Sequence, residues 1–246
     1  MPRFTDKHAV VTGGTSGIGR ATALRLRDEG ARVLVTGRDA ERLASIGEAD
    51  GITAVLDDAA DPDTGQRLRT AVDLHLDGRV DALFLNAGLG AFAPVGGVVS
   101  AEVDRQFAIN VRGPLLQLAA LDGALAPAAA VLFNSSVVNG LMMPGAAVYA
   151  ATKGAVRSAM RSTAGELAAR GIRVNAISPG PVDTGFFDAT GLGEQEIEAF
   201  ATTVLGQVPL GRFGTADEIA AAAAFLLSHE ASFVLGHELV VDGGMA

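Results

Sequence analysis

The chain alternates short apolar runs with longer segments in which apolar residues recur every three or four positions. Continuous apolar runs bounded by glycine or polar residues are typical of buried strands, whereas the three-to-four spacing is typical of helices. The strand-like runs lie near 8–12, 32–37, 52–57, 80–86, 129–135, 172–178 and 237–241, and the helical patterns near 18–29, 62–76, 100–125, 148–170 and 215–228. This alternation predicts an α/β fold over residues 1–246: a single doubly wound domain with a parallel sheet of about seven strands and helices on both faces.

One segment, 183–214, interrupts the alternation. It carries several glycines and Pro209 around a short apolar and acidic stretch. A connection this long inside a compact domain usually has a function of its own, often as a movable cover over a site. We therefore expect a substrate lid at about 183–214.

Charge and histidine placement exclude two classes of function. The net charge of -9 opposes binding to nucleic acid, and no basic stripe interleaved with aromatic residues offsets it. The four histidines, His8, His75, His229 and His237, are scattered without the spacing of metal ligands. We expect neither a nucleic-acid partner nor a metal site.

The apolar segments and the absence of cysteine bear on the compartment. No apolar stretch has the length needed to cross a bilayer, and the first eight residues are too polar for a signal peptide. Cysteine is absent, which excludes disulfides and thiolate chemistry and is compatible with a reducing compartment. We expect a cytoplasmic protein without a membrane partner.

The first strand-like run breaks into a glycine turn that opens the first predicted helix. Free backbone N–H groups and the positive end of the helix dipole together form an anion site, and glycine allows phosphates to approach the backbone closely. The alternative is a structural tight turn, but the position after the first strand favours a Rossmann-type dinucleotide site. The residues expected to border the cofactor there are Gly13, Thr15, Ser16, Gly17, Ile18 and Gly19.

Tyr149 is the only tyrosine of the chain and stands four positions before Lys153. Residues four apart share one face of a helix, so an ammonium group can lie beside the phenol. A nearby cation favours phenolate, and at about 4 Å it is worth roughly three pKa units before desolvation opposes it. The pair is a candidate proton donor and acceptor, and the alternative is a core tyrosine followed by a surface lysine.

Several further motifs stand in a fixed order along the chain. Asn86-Ala87-Gly88 follows the fourth strand-like run, Asn110-Val111-x-Gly113 lies in a later helical segment, Ser136 precedes Tyr149 by thirteen positions, and Pro179-Gly180 follows the sixth strand-like run. Together with the glycine turn and the Tyr149 and Lys153 pair, this order resembles the short-chain dehydrogenase/reductase family over nearly the whole chain. The carboxyl-terminal segments 210–214 and 240–244 are similar to those of bacterial 3-oxoacyl carrier-protein reductase-like members.

The resemblance implies an oxidoreductase that moves a hydride between a nicotinamide cofactor and a carbonyl or secondary alcohol, with Tyr149 as general acid and base. It implies that Lys153 also holds the nicotinamide ribose and that Asn110 holds a water linking Lys153 to solvent. Ser136 would orient the substrate carbonyl. Strand geometry alone leaves Ser135 and Ser136 as alternatives, and the family's spacing selects Ser136.

The choice between NADP(H) and NAD(H) depends on the end of the second strand. NAD-binding dinucleotide folds usually have an acidic residue there, whereas this chain has Gly37 followed by Arg38, which favours NADP(H). Asp39 keeps NAD(H) open as a ribose ligand, and Ser16 replaces a basic residue that many NADP-binding relatives carry. The resemblance places these residues against the cofactor beyond the glycine turn: Arg38, Asp58, Ala59, Asn86, Ala87, Gly88, Tyr149, Lys153, Pro179, Gly180, Val182 and Thr184.

Two alternative functions stay open: an NAD-dependent alcohol dehydrogenase, and a non-catalytic dinucleotide-binding sensor or scaffold. Leu85 replaces the first asparagine of the family's Asn-Asn-Ala-Gly, and Asn139 stands where many relatives have glycine and is expected near the substrate. The substrate pocket is expected between 90–92, 139–143 and the lid segment 186–205, with Met142, Met143, Phe186 and Phe187 making it apolar. Relatives are usually tetramers, so we expect a homotetramer or homodimer.

Overall fold

The computed structural model describes residues 2–184 and 201–246, and the side chains of 48–50 are outside that description. The described strands are β1 (His8–Val11), β2 (Arg32–Gly37), β3 (Thr53–Leu56), β4 (Val80–Leu85), β5 (Leu125–Asn134), β6 (Arg173–Pro179), β7 (Val182–Asp183), β8 (Gly214–Thr215) and β9 (Glu238–Val241). The α-helices that lie wholly in the described residues are α1 (Gly17–Asp28), α2 (Ala40–Asp50), α3 (Thr64–His75), α4 (Ser100–Phe107), α5 (Gly113–Leu121), α6 (Ala147–Leu167) and α7 (Ala216–Leu227), and residues 201–205 are also helical.

Seven strands form one parallel sheet in the order β3-β2-β1-β4-β5-β6-β9. The order reverses between β1 and β4, and ligands of open α/β sheets bind at such a switch point, outside the carboxyl ends of the strands. The predicted α/β fold with a seven-stranded parallel sheet is confirmed. The seven predicted strands all exist; β2 has the predicted bounds, and the ends of the others are shifted by at most four residues.

The helices cover both faces of the sheet, because successive strand residues point to opposite sides. On one face, Leu68 of α3, Leu121 of α5 and Met160 of α6 pack on the sheet. On the other face, Leu26 of α1 and Ile219 of α7 bury the opposite set of strand side chains. Burial on both faces explains why the strands appear in the sequence as continuous apolar runs.

Helix α2 was not predicted from the sequence. It is short, its side chains Leu43 and Ile46 bury one face against the sheet, and Gly47 lowers the helical propensity of its interior. Asp39 caps the helix, since its Oδ1 accepts from the N–H groups of Glu41 at 3.0 Å and Arg42 at 3.1 Å. An aspartate before a helical segment is the signal that locates this start.

The helix predicted over 100–125 is interrupted by a π-helical turn, Ala108–Arg112. There, the N–H of Gly113 donates to the carbonyl of Ala108, five residues earlier. Pro114 contributes to the interruption, because it lacks the N–H that would bond the carbonyl of Asn110 in a regular helix. Single π-helical turns are frequent at functional sites. The segment ends in a short 3₁₀ turn, and β5 begins at residue 125 instead of the predicted 129.

The predicted lid falls largely on 185–200, which lie outside the described residues. Its two ends meet, because β7 pairs in parallel with β8. Helix α7 then begins in a capping box, in which Thr215 and Glu218 bond each other's backbone N–H groups. In residues 2–184 and 201–246, none of the helices is long and apolar enough to cross a membrane.

Candidate active site

One cavity of about 770 Å³ opens at the carboxyl ends of the sheet strands. The sequence-predicted residues that line it are Gly13, Thr15, Ser16, Gly17, Ile18, Gly19, Arg38, Asp58, Ala59, Asn86, Ala87, Gly88, Ser136, Tyr149, Lys153, Pro179, Gly180, Val182 and Thr184. Asn110 lies beside this cavity, and we describe it below. Segments distant in the sequence therefore meet in one place, as the topology requires.

Close packing requires the glycines of the turn between β1 and α1. A Cβ atom on Gly19 would lie 2.3 Å from the Gly13 carbonyl oxygen and 2.5 Å from Asn86 Nδ2. Asn86 holds this turn, because its Nδ2 donates to the carbonyls of Thr12 at 3.0 Å and Gly13 at 3.2 Å. Thr184 also packs against this turn, since a Cβ atom on Gly17 would lie 3.1 Å from Thr184 Cβ. The cradle therefore joins the ends of β1, β4 and β7.

Two arginines line the cavity near the end of β2: Arg38, which follows the strand, and Arg42 of α2. Asp39 is engaged in capping α2, and its Oδ2 lies 3.6 Å from Arg42 Nε. A Cβ on Gly37 would lie 2.6 Å from Thr15 Cγ2, so no carboxylate side chain fits there without a shift. Arg38 and Arg42 therefore line this end of the cavity, and the carboxylate of Asp39 between them in the sequence is already bonded to α2.

The loop after β3 contributes a pair of aspartates with different surroundings. Asp58 forms a turn, with its Oδ1 accepting from the N–H of Ala60 at 2.9 Å. Asp57 is buried, and its carboxylate accepts from Thr64 Oγ1 at 2.5 Å and from Arg67 Nε at 2.9 Å. Asp57 therefore anchors α3, while Asp58 remains at the cavity.

Ser136 follows β5 and starts a 3₁₀ turn, Val137–Asn139. Its Oγ accepts from the N–H of Val138 at 3.3 Å. That bond occupies an acceptor position and leaves the hydroxyl hydrogen available for donation. Both serines border the cavity, but Ser135 is buried and its Oγ accepts from Asn139 Nδ2 at 2.9 Å, so the hydroxyl of Ser136 is the one that is not bonded to Asn139.

Tyr149 lies in the first turn of α6, half-buried, with its ring edge against Phe92 at a centroid distance of 6.0 Å. Its side chain is hydrogen-bonded to Ser136. Burial raises the pKa of the phenol to about 12, although the Ser136 hydrogen bond lowers it in part. The lowering expected from Lys153 is therefore not found in the protein alone, because desolvation of the phenolate dominates the shift.

Lys153 is almost fully buried, with 3 % of its surface exposed. Its Nζ donates to the carbonyl of Asn134 at 2.7 Å and lies 5.7 Å from the centroid of the Tyr149 ring. Burial lowers the pKa of Lys153 to about 8. The alternative of a surface lysine is excluded. The buried ammonium lowers the free energy of unfolding, because it has lost its hydration.

Asn110 is buried in the π-helical turn and is tied to two other segments. Its Nδ2 donates to the carbonyl of Leu89 at 2.8 Å and to Thr152 Oγ1 at 3.0 Å, and its Oδ1 accepts from the Leu89 N–H at 2.9 Å. A Cβ on Gly88 would lie 3.3 Å from Asn110 Oδ1 and 3.4 Å from Lys153 Nζ. Asn110 therefore lies next to Lys153 across Gly88.

The cavity beyond Tyr149 is largely apolar. Phe92, Val138, Met143 and Val204 line it, as expected for 90–92, Met143 and the lid segment 186–205. Met142 is different, because its side chain is fully exposed and does not line this cavity. Phe186 and Phe187 lie outside the described residues.

Comparison with known proteins identifies the architecture. A family model described as enoyl-(acyl carrier protein) reductase matches residues 13–246. Cyclopentanol dehydrogenase of a Comamonas species is 38% identical over 254 residues, which covers 99% of this chain and 98% of the relative. The structure of a short-chain dehydrogenase/reductase from Serratia marcescens superposes with a TM-score of 0.90 at 31% identity and covers 99% of both chains. The chain belongs to the short-chain dehydrogenase/reductase family.

A second relative has a similar likeness: 2-(S)-hydroxypropyl-CoM dehydrogenase 3 of Xanthobacter autotrophicus is 36% identical over 258 residues and covers 99% of this chain and 98% of its own. Family membership makes the chain an oxidoreductase that acts on alcohols or ketones and implies a nicotinamide cofactor.

The cavity of this short-chain dehydrogenase/reductase fits such a cofactor. Glycine at 13, 17 and 19 leaves a cradle that Cβ atoms would fill, and the amino end of α1 begins there at Gly17. Ser16 makes no side-chain cap, so the first N–H groups of the helix face the cavity without that competitor. A dinucleotide diphosphate matches this arrangement in charge and in shape.

Among the residues of the site that the sequence analysis missed, two bear on its charge and on the position of Lys153. Arg42 was missed because α2 was not predicted, and Asp39 as a helix cap would have revealed it. Asn134 holds Lys153 with its carbonyl, and its Nδ2 donates to Asn86 Oδ1 at 3.0 Å. No sequence signal marks Asn134, because its role depends on the parallel pairing of β4 with β5.

Proposed function

We propose that the chain catalyses the NADPH-dependent reduction of a ketone or aldehyde to an alcohol, with Tyr149 as the acid that protonates the substrate oxygen. One observation carries the proposal: Tyr149 is bonded to Ser136 and lies under Lys153 in the same cavity as the glycine cradle. Residues 1–246 would form one catalytic and cofactor-binding domain. The oxidation of alcohols is the same reaction in reverse.

The proposed proton transfer uses the hydroxyl groups of Ser136 and Tyr149. A nicotinamide held in the cavity would supply a hydride to the carbonyl carbon, and negative charge would develop on the carbonyl oxygen. Ser136 would donate a hydrogen bond to that oxygen, since its bond from the Val138 N–H does not use the hydroxyl hydrogen. Tyr149 donates its proton to the same oxygen, and its pKa of about 12 keeps the phenol protonated at neutral pH. The protonated phenol is the form that reduction requires.

Lys153 and Asn110 have supporting roles in this proposal. The Lys153 ammonium would hold ribose hydroxyls and stabilise the phenolate that remains after proton transfer. Pro114 leaves the Asn110 carbonyl without its usual helical donor, so that carbonyl would accept a water through which Lys153 reaches solvent. The side chain of Asn110 keeps the turn in place through Leu89 and Thr152.

For the cofactor, we propose NADP(H). Arg38 and Arg42 are available to a 2′-phosphate at the cavity edge, and Asp39 is engaged as the cap of α2. Gly37 offers no carboxylate to the ribose hydroxyls. A guanidinium forks onto phosphate with two hydrogen bonds, which gives both affinity and specificity.

The catalytic proposal is tested with Tyr149→Phe. Wild type is assayed with NADPH and a panel of aliphatic and cyclic ketones, including cyclopentanone, because one relative is named for cyclopentanol. We expect Tyr149→Phe to lower kcat by at least about 10³-fold and to bind NADPH as wild type does, since it keeps the ring and loses only the acid. Unchanged turnover in Tyr149→Phe would refute the role of the phenol. A wild type that binds NADPH and reduces no member of the panel would favour the sensor alternative.

The cofactor proposal is tested with Arg38→Ala and Arg42→Ala, and with Arg32→Ala as a control at the opposite end of β2. We expect Arg38→Ala to raise the Kd of NADPH about 10- to 100-fold and to leave that of NADH within about twofold. Arg42→Ala should have a smaller effect in the same direction, and the control none. If wild type prefers NADH, or if Arg38→Ala leaves the preference for NADPH intact, the NAD-dependent alternative is the better one.

We further propose a homotetramer, formed in part through the helices that follow β4 and β5. Light scattering of the purified protein measures its mass directly. A monomer at micromolar concentration would contradict this assembly.

A further inference from the structure

A buried carboxylate that the proposed mechanism does not use lies next to the Ser136 turn. Glu238, in the edge strand β9, has a side chain that is only 8% exposed. Its Oε1 accepts from Asn139 Nδ2 at 2.7 Å, and its Oε2 lies 2.9 Å from Arg157 Nε. The Arg157 contact is ionic and not an aligned hydrogen bond. Burial of a carboxylate is costly without partners, so its position requires both neighbours.

Asn139 joins this carboxylate to the strand end that carries the site. Its Nδ2 also donates to Ser135 Oγ at 2.9 Å, so both hydrogens of the amide are used inside the protein. Its side chain is therefore committed to Ser135 and Glu238, and Asn139 is not among the residues lining the described part of the cavity. We expected the Asn139 side chain near the substrate; in the structure it contacts Ser135 and Glu238 behind the Ser136 turn. A glycine at this position, as in many relatives, has no side chain to make either bond.

The contacts of Asn139 connect three elements around the site. Ser135 follows the last residue of β5 and precedes Ser136, and Glu238 belongs to β9. Arg157 lies one helical turn after Lys153 and two after Tyr149 on α6, so the ionic contact reaches the helix that carries both. The turn of Ser136 and the helix of Tyr149 are thus linked through one buried carboxylate.

We propose that Asn139 is a positioning residue that fixes the Ser136 turn relative to Tyr149 through Ser135 and Glu238. The inference rests on the proposed function, because it assigns its effect to Ser136 and Tyr149. The side-chain amide restrains a 3₁₀ turn that presents Ser136 and Val138 to the cavity. Loss of the restraint changes the geometry of proton donation and leaves the dinucleotide cradle as it is.

The first test is Asn139→Gly, which introduces the residue that many relatives have at this position. We expect kcat for ketone reduction to fall about tenfold, the KM of the ketone to rise, and the Kd of NADPH to stay within about twofold, because misplacement of reacting groups reduces rate more than cofactor binding. Asn175→Ala is the matched control. It removes another buried amide, one that binds the Val234 carbonyl at 2.9 Å and the His237 N–H at 3.0 Å. It should lower the melting temperature and leave kcat and KM unchanged.

The second test exchanges donor and acceptor. Asn139→Asp sets a carboxylate against Glu238 and should lower kcat further than Asn139→Gly, because like charges at this distance repel. Asn139→Asp combined with Glu238→Gln restores a donor and acceptor pair with reversed polarity, and we expect at least about a fivefold recovery of kcat over Asn139→Asp alone.

The outcomes separate this proposal from the proposed function. Retained turnover in Tyr149→Phe refutes the proposed function. An inactive Tyr149→Phe together with wild-type kcat and KM in Asn139→Gly overturns only the positioning role. A double variant no better than Asn139→Asp also overturns it, and if the aspartate variants fail to fold, Asn139→Gly against Asn175→Ala decides.

Discussion

Lys153→Met should make the protein more stable at neutral pH while it abolishes activity. Lys153 is 3% exposed, and the described contacts give its ammonium one carbonyl, that of Asn134 at 2.7 Å. Methionine has a similar length and carries no charge to desolvate. The substitution therefore removes the desolvation free energy of the ammonium, which destabilises the folded protein. Functional groups commonly reduce stability in this way.

The magnitude follows from the pKa of Lys153. Burial lowers that pKa from 10.5 to about 8. The charged side chain thus costs the folded state about 3 kcal/mol below pH 8. The cost disappears as pH rises from about 8 to about 10.5, because the folded protein loses this proton before the unfolded chain does. Loss of the bond to Asn134 offsets about 1 kcal/mol, so the net gain is about 2 kcal/mol, or about 5 °C in Tm.

Urea unfolding of the cofactor-free protein at about pH 7 and about pH 10 measures this gain. The gain of Lys153→Met over wild type should be largest near pH 7 and small near pH 10. Lys7→Met is the matched control, since Lys7 is 46% exposed and pairs with Asp81 at 3.3 Å. It should be neutral or slightly destabilising. If Lys153→Met is no more stable than wild type near pH 7, or if its gain is the same at both pH values, the argument from burial is wrong.

Three further predictions concern the cofactor. The kcat/KM for NADPH should decrease as pH rises through about 8, where the free protein loses the Lys153 ammonium, and a profile that is flat from pH 6 to 10 would contradict this. Gly19→Ala should abolish NADPH binding, measured by nucleotide fluorescence, because its Cβ would lie 2.3 Å from the Gly13 carbonyl oxygen; retained affinity would show that the turn can move. Gly37→Asp should weaken both NADPH and NADH in titrations, because its Cβ meets Thr15 Cγ2 at 2.6 Å, and a gain in NADH affinity would contradict the steric argument.

The fold was largely predictable because the sheet is buried on both faces. Strand β4, in which every residue is buried, appears in the sequence as an apolar run that only Asp81 interrupts. Helix α2 was missed because its pattern is short and includes Gly47. The division of the 100–125 segment was missed because a π-helical turn keeps the spacing of apolar residues close to that of an α-helix.

The site was predictable where it consists of local motifs. The glycine turn and the Tyr149 and Lys153 pair carry their spacing in the sequence, and the structure places them in one cavity. The contacts that hold them were not predictable, because they join segments far apart in the chain. Asn134 meets Lys153, and Asn139 meets Glu238, only after β5 and β9 take their places in the sheet. The predicted lowering of the Tyr149 pKa was also wrong, because burial of the phenol raises that pKa and burial could not be inferred from the spacing of Tyr149 and Lys153.

The π-helical turn Ala108–Arg112 makes residue count a constraint on engineering this chain. Each residue rotates a helix by about 100°, so removal of one residue from the turn would turn everything after it relative to everything before. Asn110 could then face Leu89, or Gly113 could pack on the Ala59 carbonyl, but both contacts would not survive together. Chimeras with other family members should therefore exchange 100–121 as one block, because a junction inside it shifts the two halves out of phase.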